Sequence, residues 1–215
     1  MNAQAQLILG LLWLSFGAVH SVTASPAFKR RVEPKLGGLY RVVYNIAAGV
    51  HLAAILSYEY FSAAGSLKFD RPWFWSVPAI AAEILGWLII LFALGQYDMG
   101  RFLGLTQMRE HARKLPPSAP EPLVVDGMHR YVRHPLYAGL FLVLWGRVSN
   151  ELELATALWA SLYLLIGTYF EERKLLREFG PAYATYRARV PAFVPWRGHV
   201  KDGPKDGLKD RRVPD

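Results

Sequence analysis

Charged residues are excluded from long stretches of this chain and crowded between them. Residues 1–27 and 42–58 carry no Lys, Arg, Asp or Glu, residues 72–97 carry only Glu83, and Pro135–Gly146 and residues 154–170 carry none. Apolar runs of this length, apolar on every side, predict membrane-spanning helices. The expected architecture is therefore all-α: a polytopic integral membrane protein with about five transmembrane helices, the fourth and fifth forming a helical hairpin. The fourth run is the exception in length. Its 12 residues make roughly 18 Å of helix against about 30 Å of hydrocarbon. It spans only if Arg147 snorkels, or else it is half of a re-entrant hairpin.

Between the runs the breakers are clear. Pro26, Pro34, Gly37 and Gly38 predict a basic loop after the first segment (4–23), and Lys68 to Trp75 reads as a turn with an aromatic belt between the second (40–64) and third (72–95). The longest connection, 96–133, holds an amphipathic piece around 102–114 and then Pro116, Pro117, Pro120 and Pro122. A connection this long in a small protein is usually functional. Residues 171–190 predict an amphipathic helix interrupted at Gly180-Pro181. The reading is one membrane domain over 1–197 and a disordered polar tail over 198–215, where Lys-Asp-Gly occurs twice.

Charge fixes an expected orientation. Lys plus Arg count 5 in 28–41, 6 in 96–134 and 11 from 171 onward, against 2 in 61–71, 1 in 147–153 and none before the first segment. One side thus receives 22 and the other 3, which by the positive-inside bias places the N-terminus outside and the C-terminus in the cytoplasm. The first segment has no Lys or Arg before Lys29, so it is not expected to be a cleaved signal peptide. The net charge of +8 follows from topology and calls for no nucleic-acid partner. With no cysteine there is no disulfide, thiolate metal site or Cys nucleophile, and the six His are not spaced as a metal cluster.

Chemistry concentrates in two places. In Arg130-Tyr131-Val132-Arg133-His134-Pro135-Leu136-Tyr137-Ala138-Gly139, Pro135 suits the first turn of a membrane helix, so Arg133, His134 and free backbone N–H groups gather at a positive helix end. Tyr137 offers a ring or hydroxyl in that turn, and Gly139 lets a ligand or a second helix come close. The same residues also suit ordinary interfacial anchors. The second place is Glu171-Glu172-Arg173, followed by Phe179-Gly180-Pro181 and Tyr183 to Pro191. Those carboxylates could bind a ribose or an amino group, or simply be a solvated helix start.

Together the clusters resemble a known family. Arg133-His134-Pro135-x-Tyr137-x-Gly139, a helical hairpin, Glu171-Glu172, Phe179-Gly180, Tyr183-x-x-Tyr186 and Arg189-Val190-Pro191-x-x-x-Pro195 are similar to the isoprenylcysteine carboxyl methyltransferase superfamily, over 127–196. The run His20 to Arg30, with Tyr97-Asp98 and Phe102-Leu103-Gly104-Leu105-x-Gln107, resembles more loosely the bacterial branch containing methanethiol S-methyltransferases and NnrU-type membrane proteins. The resemblance implies a helical enzyme of a bacterial inner membrane that holds S-adenosylmethionine in a cytoplasmic pocket and admits a lipophilic substrate from the lipid. It implies catalytic roles for Arg133, Glu171 and Glu172, and donor binding by Arg133, His134, Pro135, Tyr137, Gly139, Glu171, Glu172 and Tyr183. Carboxyl-methylating members carry a base one turn before this Glu pair, where this chain has Gly167, so the implied acceptor is a small or lipophilic thiol. No Gly-x-Gly-x-x-Gly follows a strand, against a soluble Rossmann methyltransferase. Prenylcysteine or lipid methylation, a non-enzymatic NnrU-type protein of nitrogen-oxide metabolism and an NADPH-dependent sterol-type reductase stand as alternatives.

Three ionisable residues lie within the apolar runs: Glu83, His51 and, near the inner end of the first segment, His20. Their depth makes them functional candidates, with His51 the expected partner of Glu83. The orientation gives the first prediction. A C-terminal reporter active only in the cytoplasm is expected to be active, and a periplasmic C-terminus would reverse the reading of every loop.

Overall fold

The computed structural model describes residues 3–116, 118–119 and 121–197; the tail expected over 198–215 lies outside them. Among the described residues all regular elements are helical, with one isolated bridge, Lys68 to Asn150. The long helices are α1 (Ala3–Ala24), α3 (Tyr40–Ser62), α4 (Trp73–Leu94) and α8 (Glu151–Phe179). Shorter ones are α2 (Pro26–Leu36), α5 (Met99–Leu103), α6 (Leu105–Ala112), α7 (Pro135–Gly146) and α9 (Pro181–Arg189). Stretches around α1, α3, α4 and α8 are long and apolar enough to cross a membrane; α7 is apolar but shorter. Leu91 and Phe92 leave 64% and 69% of their surface outside the bundle. Apolar side chains pointing outward along whole helices are lipid-facing.

Two packing systems hold the bundle. α1 lies against α3 and α8 through Leu9, Trp13, Phe16, Ile55, Leu152 and Ala160. α4 and α7 form the closest helix pair, and small residues explain it. A Cβ on Gly86 would sit 2.7 Å from Gly139 O, one on Gly139 2.8 Å from Gly86 O, and one on Gly146 2.7 Å from Ala79 O. Without a hydrophobic force between helices in lipid, such close backbone approach supplies the attraction. Gly139 thus admits a second helix.

The hairpin expected of the fourth and fifth segments is α7, a four-residue turn, and α8. Asn150 caps α8 by accepting from Leu152 N (3.0 Å) and Glu153 N (3.1 Å). The turn is bonded to the α3–α4 connection: Phe69 N donates to Ser149 O (2.9 Å) and Glu151 N to Leu67 O (3.0 Å). Arg147 does not snorkel to water alone; it donates to Glu59 of α3 at 2.5 Å, a carboxylate only 2% exposed. A buried carboxylate and a half-buried guanidinium thus hold α3 and the end of α7 in register.

Three expectations change. The proline-containing basic loop is helix α2: Ser25 caps it by accepting from Phe28 N (3.2 Å), and Pro26 sits at its start, where a missing N–H costs nothing. Segment five and the amphipathic stretch up to Phe179 form a single rod, α8, and the interruption expected at Gly180-Pro181, with Gly180 at φ +54, separates it from α9. Finally, His51 and Glu83 are not paired. His51 meets Ser15 Oγ at 3.0 Å and the edge of Phe16, on the α1 side of α3, whereas Glu83 sits on α4 with its backbone N against α7 at Gly146.

The glycine seam is testable. Gly86→Leu is expected to lower the thermal stability of the detergent-solubilised protein by about 1–3 kcal/mol or more, because the larger side chain must force α4 from α7. Gly49→Leu, where a Cβ meets nothing within 4 Å, is expected to leave it unchanged. Equal effects would show that the seam is not close-packed.

Candidate functional site

At one end of the bundle α8 carries adjacent carboxylates that face different ways, since successive helical residues are about 100° apart. Glu172 turns inward. Arg133 donates to its Oε1 through Nε (2.8 Å) and Nη2 (2.6 Å), His134 Nε2 lies 3.2 Å from the same oxygen, and Arg187 Nε is 3.0 Å from Oε2. The side chains of Arg133 and Glu172 are 11% and 8% exposed. Glu171 turns outward with 42% of its side chain exposed, its Oε2 3.7 Å from His134 Nδ1.

The chain around this carboxylate is fixed by backbone bonds. Arg133 N donates to Pro191 O (2.9 Å) and His134 N to Ala192 O (3.0 Å), so these N–H groups are not free as the helix-end reading expected. Arg133 Nη1 donates to Arg187 O (3.2 Å) and to Val190 O. With four of its five N–H groups so engaged, Arg133 ties α7, α8 and the segment after α9 together. Pro135 is buried at the start of α7, and Tyr137 stacks on the His134 ring (centroids 5.5 Å, planes 6°) while its hydroxyl interacts with Glu171. Tyr183 and Tyr186 are buried on the inner face of α9, and the Tyr186 hydroxyl donates to His129 O at 2.7 Å.

Beside this cluster opens a cavity of about 480 Å³. Of the sequence-expected residues, Arg133, His134, Glu171 and Tyr183 line it; Pro135, Tyr137, Gly139 and Glu172 stand outside its lining. The rest of the wall comes from residues to which the motifs assigned no role. Tyr97 and His129 lie in the connection between α4 and α7, Gln107 on α6, Arg41 on α3 and Lys174 on α8. The long connection thus folds over the motif residues. Gly104 makes its bend between α5 and α6 at φ +89, with its Cα so near the start of α3 that a Cβ would lie 2.9 Å from Arg41 Cβ.

The wall is polar yet electrically moderate. Burial, helped by the neighbouring His134, lowers the His129 pKa and keeps that ring neutral; burial, then Glu171 and Glu121, raises the Tyr97 phenol; burial, then Glu172, pushes Tyr183 up to about 12. At neutral pH the phenols are hydrogen-bond donors. Among the described residues nothing bonds to His129 Nδ1 or Gln107 Oε1, two buried polar atoms of the wall. Buried polar atoms are rarely left unsatisfied, so these two are available to a polar ligand or to water.

The geometry now meets known proteins. Methanethiol S-methyltransferase 2 of Bradyrhizobium diazoefficiens is 32% identical over 203 residues, covering 90% of this chain and 75% of that protein. A methanethiol S-methyltransferase of a Pseudomonas species is 30% identical over 201 residues, covering 92% and 76%. The chain belongs to the methanethiol S-methyltransferase family. It is a methyltransferase of the membrane, an enzyme that uses a methyl donor and a small or lipid-like acceptor. The protein-S-isoprenylcysteine O-methyltransferase of Schizosaccharomyces pombe is 38% identical over 79 residues, 34% of this chain and 33% of that protein. These likenesses fit the wider superfamily that the motifs resemble. No family model and no solved structure matches the chain.

Because Glu172 has three basic neighbours, its loss strands charge. Glu172→Leu is expected to cost about 3–5 kcal/mol of stability, as for other broken buried pairs. In a double-mutant cycle with Arg133→Met, read by thermal unfolding, a coupling of about 1–3 kcal/mol is expected. A coupling near zero would mean that the carboxylate does not organise this end.

Proposed function

We propose that this protein transfers a methyl group from S-adenosylmethionine to the sulfur of a small or lipophilic thiol, on the cytoplasmic side of a bacterial inner membrane. The observation that carries the reading is one face of α8. Tyr163, Gly167, Glu171 and Lys174 follow one another at helical spacing, and a Cβ at Gly167 would meet nothing within 4 Å. No side chain therefore stands on α8 one turn before Glu171, at the position where the resemblance calls for a carboxylate-binding base in the ester-forming enzymes.

The residues suit the donor. S-adenosylmethionine, when bound, supplies an electrophilic methyl group on a sulfonium. Glu171 accepts from its ribose or amino group, and His129 Nδ1 and Gln107 Oε1 gain partners they otherwise lack. His134 and the remaining N–H of Arg133 meet the donor carboxylate, and Tyr183 closes the cavity floor. Glu172, Pro135, Tyr137 and Gly139 act behind the wall: Glu172 holds Arg133 and His134, Tyr137 backs His134, and Pro135 and Gly139 set where α7 begins and how near α4 lies. Methyl transfer of this kind depends mainly on alignment and exclusion of water.

A neutral thiol enters the clearing left at Gly167 without the cost of an unpaired charge, whereas a carboxylate acceptor in a partly dry site must be paired. In competitive turnover with labelled S-adenosylmethionine, methanethiol or a longer alkanethiol is expected to be methylated faster than farnesylated N-acetylcysteine. Faster labelling of the prenylcysteine, recovered as a base-labile ester, would overturn the thiol reading.

A further inference from the structure

We infer that the acceptor thiol binds in the clearing at Gly167 and gives its proton to His20 through the Tyr44 hydroxyl. This rests on the thiol-methylation reading. His20 of α1 is held by two phenols from two other helices: Tyr44 of α3, its hydroxyl 2.6 Å from Nε2, and Tyr163 of α8, its hydroxyl 2.5 Å from Nδ1. Phe16 stacks on the ring at 5.4 Å. Tyr163 stands one turn before Gly167 and two before Glu171, about 12 Å from the latter along the rod. His20 and Tyr44 also line a second cavity, of about 470 Å³, which shares Arg41, Gln107 and Lys174 with the donor cavity. The imidazole and the open carboxylate thus border neighbouring cavities that have these three wall residues in common.

The chemistry follows from the bonding. A neutral imidazole has one donor and one acceptor nitrogen. With Nδ1–H donating to Tyr163, Nε2 accepts from Tyr44, whose oxygen is left able to take a further proton. As the thiol sulfur forms its bond to the donor's methyl carbon, the thiol proton passes to Tyr44 O and the Tyr44 proton to His20 Nε2. The carbon–sulfur bond of the donor breaks and its electron pair stays on the donor's sulfur. The imidazolium then donates to both phenols and later returns the proton to water. Around this space Lys29 and Glu33 of α2 pair with each other at 3.5 Å, and Arg41 of α3 and Lys174 of α8 line the part it has in common with the donor cavity. Of the other titratable neighbours on α3, Tyr40 donates to Thr23 O, and His51 contacts Ser15.

The test uses acceptors of different acidity and the full-length protein. At pH 7, His20→Gln and Tyr44→Phe are each expected to slow methylation of an alkanethiol by about 100-fold or more, the range for a lost general base. Turnover of an aromatic thiol, already ionised at that pH, should stay within threefold of wild type. The alkanethiol deficit should shrink as pH rises toward the thiol's own pKa. If both variants slow both thiols equally, the histidine merely fastens helices and the relay is wrong. Site occupancy is read without turnover: Gly167→Leu should abolish calorimetric binding of octanethiol to donor-free protein while leaving S-adenosylmethionine binding intact, and unchanged octanethiol affinity would refute the clearing. Wild-type protein that methylates neither thiol would instead sink the thiol reading itself, and the relay with it.

Discussion

The Glu172 carboxylate is the interaction on which the functional end depends. A carboxylate buried on a membrane helix is unfavourable unless neighbours compensate it, and here the compensation comes from three residues on two chain segments: Arg133 and His134 before α7, and Arg187 on α9. Each could reach Glu172 only if the chain folds back over the end of α8. The sharp turn at Gly180, the short helix after it and the backbone bonds from 133–134 to 191–192 are that folding-back. One buried charge therefore gathers residues far apart in sequence. It also decides the role of its neighbour: with Glu172 facing in, Glu171 faces the cavity.

The opposite end repeats the principle with other residues. Glu59, Arg147 and the capped turn at Asn150 bind α3 to the hairpin, with Glu153 close by. Between the two polar ends, α4 and α7 meet through bare backbone at Gly86, Gly139 and Gly146. A short α7 suits this arrangement. Its first residues are fixed by the strap of 191–192 and its last by the connection at 66–72, so neither end depends on reaching the lipid surface by itself.

Much of this was legible in the residues, and what was not has a physical cause. The apolar runs announced α1, α3, α4 and α8 because a helix that faces lipid must be apolar throughout, whatever it packs against. Arg133, His134, Glu171 and Tyr183 were found because their spacing around a proline and a glycine is local. Glu59 was missed because it lies just beyond a charge-free run, and only the tertiary structure reveals Arg147 as its partner. His51 and Glu83 were matched by depth, but depth does not say which side of a helix a residue occupies. Tyr97 and Gln107 stood in the looser N-terminal motifs without a role assigned to them, and His129 carried no motif; the signal that could have found it was the unusual length of 96–133. The proline-rich stretch at 26–34 misled for the opposite reason. Proline suits the first turn of a helix, Ser25 before Pro26 was the sign of a beginning, and Pro34 is carried inside α2 near its end.

The α8 rod brings these strands of argument together. It starts at the turn after α7, runs past the His20 clasp at Tyr163, leaves a gap at Gly167, offers Glu171 to the cavity and closes on Glu172. A methyl transfer between a polar donor and an apolar acceptor needs two environments within reach of one another, kept apart from bulk water. A helix emerging from lipid provides them in sequence order, apolar first and charged last. The spacing between them is set by 1.5 Å per residue of a rigid element, so the relative position of the two half-sites is held by backbone hydrogen bonds and does not rely on loop geometry. A glycine at the junction removes the one side chain that would stand between them, and its cost in helix stability, of about 1 kcal/mol relative to alanine, is borne by a helix of 29 residues that is capped at both ends and packed along its length.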